Sequence, residues 1–422
     1  MCIGAILFII FCFFSAIPIS KSHNEIVVPE NYARIQDAID NASPHDVICV
    51  NGGIYEEHLV IDKPLYIYGS EANTPMIKIC EDSDIIKITA SNVTISNLKI
   101  VKNLAGSSKS AGVVLSNVSF CSISNNTIIG NFVGVLIEGG AFNLVQDNSI
   151  TNNRYGVFLR RYQHSEPSYS NVICRNNISV NSWNGIEIDW GSGNLVYANT
   201  LLSNAAFGLE IPDYTPSSSN VIFHNNFIDN ARVFGELYQA YAPSSNYWNF
   251  SYEGNYWSDF CGVDENNDAI SDVSYKVNNN VIDYFPLMGI FQTYKVSDSY
   301  VNTVTNASII GFQHYSMNST GQHTFLEFNV TSVAQWFCRV TIPKSLELSF
   351  LALKINDHAT ECQVIENDFY INLYVIYPPG DYIVRIETLF IGEFYSGMYL
   401  MLFMIVSFMV LFWRRLQCHV KA

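Results

Sequence analysis

Apolar and polar residues alternate along this chain in short runs that return in the same phase. After Gly134 come Val135 and Ile137 on one face and Leu136 and Glu138 on the other; after Gly185 come Ile186 and Ile188, then Glu187 and Asp189. A period of two marks a strand, because successive side chains point to opposite faces. The frame Asn-x-(Ile/Leu/Phe)-x-x-Asn occurs five times: Asn126-Ile128-Asn131, Asn148-Ile150-Asn153, Asn176-Ile178-Asn181, Asn199-Leu201-Asn204 and Asn225-Phe227-Asn230. Its first asparagines step by 22, 28, 23 and 26 residues, and Gly112, Gly134, Gly156, Gly185, Gly208 and Gly235 precede the alternating runs in phase with it. A repeat of that length has room for two or three strands and none for a helix. It predicts a solenoid of parallel strands whose coils stack at roughly 4.8 Å, with Ile128, Ile150, Ile178, Leu201 and Phe227 buried as one column. The asparagines then read as scaffold. Asn tolerates the left-handed backbone of a sharp turn, and its amide can bond the Asn one coil away.

Upstream, Ile35, Ala38 and Ile39 mark one face of a short helix over about 32–41, placed to cap the first coil, whose strand edges would otherwise be open. Strands near Val47–Val50, Leu65–Tyr68, Ile77–Ile79 and Ile85–Thr89 would begin the stack. Three stretches together resemble a known architecture: "VPENYARIQDAIDNASPHDVICVNGGIYEEHLVIDKPLYIYG" from Val28 to Gly69, the Asn repeat, and "GNYWSDFCGVDENNDAISDV" followed by "DYFPLM". The chain resembles the right-handed parallel β-helix of the pectin-lyase type, and within it the archaeal and bacterial surface proteins with NosD-like repeats. The resemblance implies an all-β fold with the β-helix over 23–289. It specifies fold rather than activity, since such folds host lyases, hydrolases, adhesins and metal-accessory proteins. His45 stands where the family usually has glycine in a Pro-Gly-Asp turn.

Both ends of the chain are apolar. The run Ile3–Ile19, followed by Lys21, reads as a secretory signal over 1–22, with an uncleaved anchor as the alternative. Phe394–Trp413 is uncharged and long enough to span a bilayer as a transmembrane helix; Arg414, Arg415 and Lys421 follow it in a short cytoplasmic tail, 414–422. Residues 290–390 hold alternating runs such as "HTFLEFNVT" and "WFCRVTI", which predict a small β-sandwich next to the membrane. These features place a single-pass protein in the cell membrane with its ectodomain outside. Nine Asn-x-Ser/Thr sequons agree with export. The net charge of −16 argues against a nucleic-acid partner. Among the ten cysteines no CxxC occurs; Cys338 and Cys362 could bridge two strands, and the others outside the end segments read as free buried thiols.

Chemistry is sought at outward positions. Aligned on their glycines, the strands place Val114, Leu136, Phe158, Glu187 and Glu210 in one column and Ser116, Glu138, Arg160, Asp189 and Pro212 in the next. Two coils carry extra length directly after these strands, "RRYQHSEPSYS" and "PDYTPSSS", and should form loops over the acidic strip, with Tyr162, Tyr169, Trp190 and Tyr214 nearby. Carboxylates beside aromatic faces suit a sugar, so Glu187, Asp189, Glu210, Arg160, Trp190 and Tyr214 are the candidate residues for a polysaccharide or envelope glycan. Glu187 and Glu210 are also the candidate pair for hydrolysis, because adjacent coils give them roughly the 5 Å spacing of a retaining glycosidase; Arg160 or Arg161 is the base candidate for a lyase. The same charges would equally form a solvated ladder in which Arg160 balances Glu138 and Asp189. The function expected is therefore surface binding of carbohydrate without catalysis, with a lyase or hydrolase and a purely structural envelope protein as alternatives.

Two metals come into question. Asp264, Asn266, Asp268, Ile270 (through its carbonyl) and Asp272 follow the alternation of an EF-hand-like loop and could hold a structural calcium ion, although Ala269 replaces the turn glycine and Tyr275 the bidentate Glu. Copper, which the resemblance brings in, would need clustered Met, Cys and His; His164 and His224 stand singly, so copper is not expected.

Overall fold

The computed structural model describes residues 24–102, 110–161, 167–231, 238–243, 245–315, 325–346 and 351–388. The expected signal (1–22), membrane span (394–413) and tail (414–422), together with Tyr162, His164 and Gly235, lie outside these residues. Among the described residues no helix is long and apolar enough to cross a membrane. The chain divides into two compact units, one reaching Phe291 apart from Asn267–Ala269, the other formed by those three residues and the chain from Gln292 on.

The first unit is a parallel β-helix. Three sheets form its sides, here S1, S2 and S3, with nine, nine and eight strands among the described residues. S1 runs from Glu25–Val28 to Val221–Phe223, S2 from Ile54–Tyr55 to Tyr256–Trp257, and S3 from Leu59–Ile61 to Ala240–Tyr241. The expected column exists: Ile128, Ile150, Ile178, Leu201 and Phe227 are direct partners on successive S2 strands, and Trp257 continues it. All five are fully buried, each stabilising the stack by on the order of 2 kcal/mol. A helix, α1 (Ile35–Asn41), buries Ile35, Ala38 and Ile39 at the open end. Its first amides are capped by a distant carboxylate: Ile35 and Gln36 N–H donate to the two Glu57 oxygens at 3.0 Å each, which satisfies orphan donors and opposes the positive helix end. At the far end Trp257 stacks on Phe227 (4.3 Å) and Tyr275 (4.2 Å) and donates its indole N–H to Asp283 Oδ2 at 3.0 Å.

Every corner carries an asparagine ladder. One runs Asn126–Asn148–Asn176–Asn199–Asn225–Asn255 and ends on Asp283; a second runs Asn131–Asn153–Asn181–Asn204–Asn230 and ends on Gln239. A third, Asn143–Asn171–Asn194–Asn220–Asn246, was not legible in the five-fold frame. The side chain of Asn176 shows the bonding. Its Nδ2 lies 2.9 Å from Val145 O, 3.0 Å from Cys174 O and 2.9 Å from Asn199 Oδ1, and its Oδ1 accepts from Asn148 N and Nδ2 at 3.0 and 2.9 Å. The left-handed backbone, expected on these asparagines, falls instead on the residue before each: Asn125, Asp147, Arg175, Ala198 and His224 precede the first-ladder asparagines of the five frames, with φ between 54° and 57°. The turn residue points outward and is free to vary, while the inward Asn keeps a negative φ and fastens the corner. His45 (φ 73°) and Ala269 (φ 65°) also adopt the left-handed conformation, at the two places where glycine was expected. The phased glycines serve packing instead: a Cβ on Gly156 would lie 2.4 Å from Ile178 Cγ2 and 2.5 Å from Gly185 O.

The second unit contains two five-stranded antiparallel sheets among the described residues. Val301, Val340 and Leu373 from one and Phe328, Leu353 and Ile386 from the other share a single buried cluster. Cys338 and Cys362 do not bridge: all seven described cysteines are free, and Cys80 and Cys261 are exposed rather than buried.

Candidate functional site

The outward columns align as expected. Val114, Leu136, Phe158, Glu187 and Glu210 are successive partners across S3, and Ser116, Glu138 and Arg160 are partners in the next column. Asp189 joins that second column through its N–H, which donates to Leu159 O at 2.8 Å. The lower part of the first column is apolar. Val114 and Leu136, with Ala111 and Val133, form a buried cluster separate from the core, against which Phe132, Tyr155 and Phe158 pack. At Glu187 the column turns from apolar to acidic.

The two glutamates are joined by a residue that sequence reasoning missed. Asn184 is fully buried, and its Nδ2 donates to Glu187 Oε2 at 2.9 Å and to Glu210 Oε2 at 2.5 Å, while its Oδ1 accepts the Phe207 amide at 3.0 Å. One amide therefore holds both carboxylates within a short reach of each other. The signal was present: the residues before the phased glycines are Ala111, Val133, Tyr155, Asn184 and Phe207, so the polar one belongs to the coil of Glu187. Glu187 is only 7% exposed. Burial pushes its carboxyl up to about 7; the Asn184 bond opposes this, and the charges of Glu210 and Asp189 add to it. Asp189 is also raised, chiefly by burial, with Arg160 pulling the other way.

Around this pair the remaining candidates divide. Tyr214 is 76% exposed, and its hydroxyl feels Asp189, Glu187 and Glu210, so the second insertion does lie beside the acids. Trp190 takes a left-handed φ of 66° and lies under the Arg161 guanidinium at 5.1 Å. Arg160 turns to Glu138, donating from Nε to Oε1 at 2.8 Å, as the charge-ladder reading requires. Two polar atoms here are buried without a hydrogen-bond partner: Asp189 Oδ1 and Arg161 Nε. Buried orphans of this kind are rare and call for an explanation.

In the segment of the calcium candidates, Asp264 and Asp268 are half-buried, while Asn266 and Asp272 are exposed. Asp272 Oδ2 accepts the Glu265 amide at 2.8 Å, and Ser271 Oγ accepts from Val263 N and Val273 N at 3.3 and 3.1 Å. Among the described residues no group of three or more His, Cys, Asp or Glu could hold a metal ion.

Comparison with known proteins follows the fold. The family model described as "Periplasmic copper-binding protein (NosD)" matches residues 39–262. A "Cell surface glycoprotein" of Methanothermus fervidus is 29% identical over 221 residues, 51% of this chain and 32% of that protein. A "Probable ABC transporter binding protein NosD" of Stutzerimonas stutzeri is 37% identical over 65 residues, 15% of this chain and 14% of that protein. The chain thus spans about a third or less of the curated relatives it matches. Among solved structures, pectate lyase Pel9A superposes with a TM-score of 0.42 at 12% identity, over 56% of this chain and 75% of that one. The pectin methylesterase from Aspergillus niger gives 0.36 at 14%, over 53% and 91%. At such scores neither bears on chemistry. The Cys121 and Cys174 thiols are pushed up to about 11, chiefly by burial, which keeps them protonated. His224 Nε2 is 2.7 Å from Glu253 Oε2, and its ring stacks on Phe291 at 4.1 Å.

Proposed function

The chain belongs to the NosD family, whose model matches more than half of it, and on that premise we propose that it is a surface-exposed β-helix protein that binds a carbohydrate or envelope polymer without cleaving it. The observation carrying this is the Glu187–Asn184–Glu210 cluster on the outer face of S3, set beside the exposed Tyr214 ring. A sugar ring packs its C–H face on the phenol and gives hydroxyl protons to the carboxylates. Its hydroxyls would also supply the partners that Asp189 Oδ1 and Arg161 Nε lack. The surface location draws on the M. fervidus relative, described as a cell surface glycoprotein, and on the apolar segments 1–22 and 394–413, read as signal and membrane anchor.

One observation favours hydrolysis as a second reading. Glu187, raised to about 7, would be about half protonated at neutral pH and able to act as a general acid, with Glu210 held beside it by the shared Asn184 amide. A glycan array of the intact chain, followed by product analysis on every hit, separates the readings. Binding without new reducing or unsaturated ends is expected. New ends that disappear in Glu187→Gln would establish the enzyme instead. Binding unaltered in the double variant Glu187→Gln, Glu210→Gln places the groove elsewhere, and silence in both assays leaves a structural envelope protein.

A further inference from the structure

The corner before the S1 strands displays side chains that neither the core nor the acidic strip explains. Two residues before the last six S1 strands the backbone is left-handed: Asn92, Phe120, Phe142, Ser170, Gly193 and Ser219, with φ between 52° and 64°. Strand register stacks them, since Thr94, Ser122, Leu144 and Val172 are successive partners. Phe120 and Phe142 are 46% and 36% exposed, and their rings stack on each other at 5.3 Å with planes 8° apart. A left-handed φ is uncommon for a bulky residue and costs energy, and here the outcome is an aromatic ring held in solvent. Phe142 covers one face of Phe120. The other face is turned toward the previous coil, where Asn92 occupies the same register position and is exposed. Asn92-Val93-Thr94 is a sequon.

We infer that Asn92 is an N-glycosylation site and that the first sugar of its glycan packs on the open face of Phe120. In the transfer, Asn92 Nδ2 bonds to the anomeric carbon of a lipid-phosphate-linked oligosaccharide. The anomeric C–O bond to the phosphate breaks, the lipid phosphate leaves, and the amide loses one proton to the transferase. Six other sequons lack this setting. Asn41 and Asn306 donate their amides to Asp37 O and Gln335 O. Asn177 and Asn329 lie within strands paired on both sides. Asn117 and Asn125 are exposed at corners, but register sets Gly139 and Asp147 beside them rather than an aromatic. A ring stacked beneath the first sugar shields its apolar face from water and holds the glycan along the solenoid wall.

The proposal rests on export, and its test separates the two. The full chain is isolated from its own cells, with and without protease treatment of the intact cells, and the tryptic peptide Ile88–Lys99, which contains no other sequon, is weighed. The expected result is a mass increment of at least one hexose or N-acetylhexosamine on Asn92 that is lost in Asn92→Gln and kept in Thr94→Ser. A chain cleaved on intact cells yet lacking the increment overturns the modification alone; one that is protected and unmodified overturns both. The packing contact has its own readout. The glycosylated chain should melt a few degrees above Asn92→Gln, and that gap should close when both carry Phe120→Ser. An equal gap in both backgrounds overturns the stack.

Discussion

Polar side chains are buried in two ways in this solenoid, and the contrast separates scaffold from site. At the corners they are neutral, repeated and saturated: each ladder Asn bonds to the next coil and to the backbone, as Asn176 does with Val145, Cys174 and Asn199. On the outer face of S3 they are acidic and occur once, with two carboxylates sharing the single Asn184 amide and Asp189 Oδ1 left without a partner. A repeated neutral amide adds one satisfied contact per coil and nothing to the local charge. A singular buried acid works against stability and is retained for another reason. The sharpest test of the scaffold half is Asn176→Ala. It deletes a donor to two carbonyls and a rung on each side, leaving buried partners unsatisfied, and should cost about 3 kcal/mol or more. The urea midpoint of unfolding followed by circular dichroism should fall accordingly. A loss under about 1 kcal/mol would mean that stacking of the isoleucine column, not the ladder, fastens the corner.

The site half predicts the opposite sign. Glu187 has a folded-state pKa of about 7 against 4.5 for an ordinary glutamate. Its contribution is therefore fully present below about pH 4.5 and is lost as pH rises through about 7. Glu187→Gln keeps an acceptor for Asn184 while removing the charge, so above pH 7 the variant should be more stable than the parent, by about 3 kcal/mol. At pH 4.5 the two should coincide. Asp283, fully buried and raised to about 6 from 3.8 chiefly by burial, gives a slope of the same sign at lower pH. That slope should persist in the variant, so the comparison is between the two chains at each pH rather than within one. A Glu187→Gln chain less stable than the parent at pH 8 would show the carboxylate to be ionised and structurally useful, and the contrast with the ladders would fail.

What was legible in the sequence follows the same division. The repeat exposed the S2 column, two of the three ladders and the register of Glu187 on Glu210, because identical residues at a fixed phase can only stack. The third ladder escaped although it keeps phase: Asn143, Asn171, Asn194 and Asn220 each stand five residues before a first-ladder Asn, but Cys121 holds that place before Asn126, so the pattern does not run through all five frames. The left-handed turn residues escaped as well. They point outward, so chemistry as different as Val180 and Arg175 is tolerated there and no pattern marks them. Asn184 was hidden for the reverse reason: it occurs once, and a search for repetition passes over the residue that breaks it. The Glu57 cap on α1 joins residues far apart in sequence and carries no local signal at all.

The smallest effect is expected where acids are neither laddered nor buried together. The segment Asp264–Asp272 has the alternation of a calcium loop, but its side chains already serve the turn: Asp272 Oδ2 holds the Glu265 amide, and Ser271 Oγ holds those of Val263 and Val273. Asp272 is solvent-exposed and Asp264 only half-buried, so water already screens their repulsion and a cation would relieve little. Binding through Asp272 would also have to displace its bond to the Glu265 amide. Melting curves with millimolar calcium and with chelator should therefore superpose, in contrast to the shifts expected from Asn176→Ala and Glu187→Gln. A calcium-dependent rise that disappears in Asp264→Ala, Asp268→Ala would show that these oxygens converge on an ion, and would make the segment a third kind of polar cluster, one assembled by its ligand.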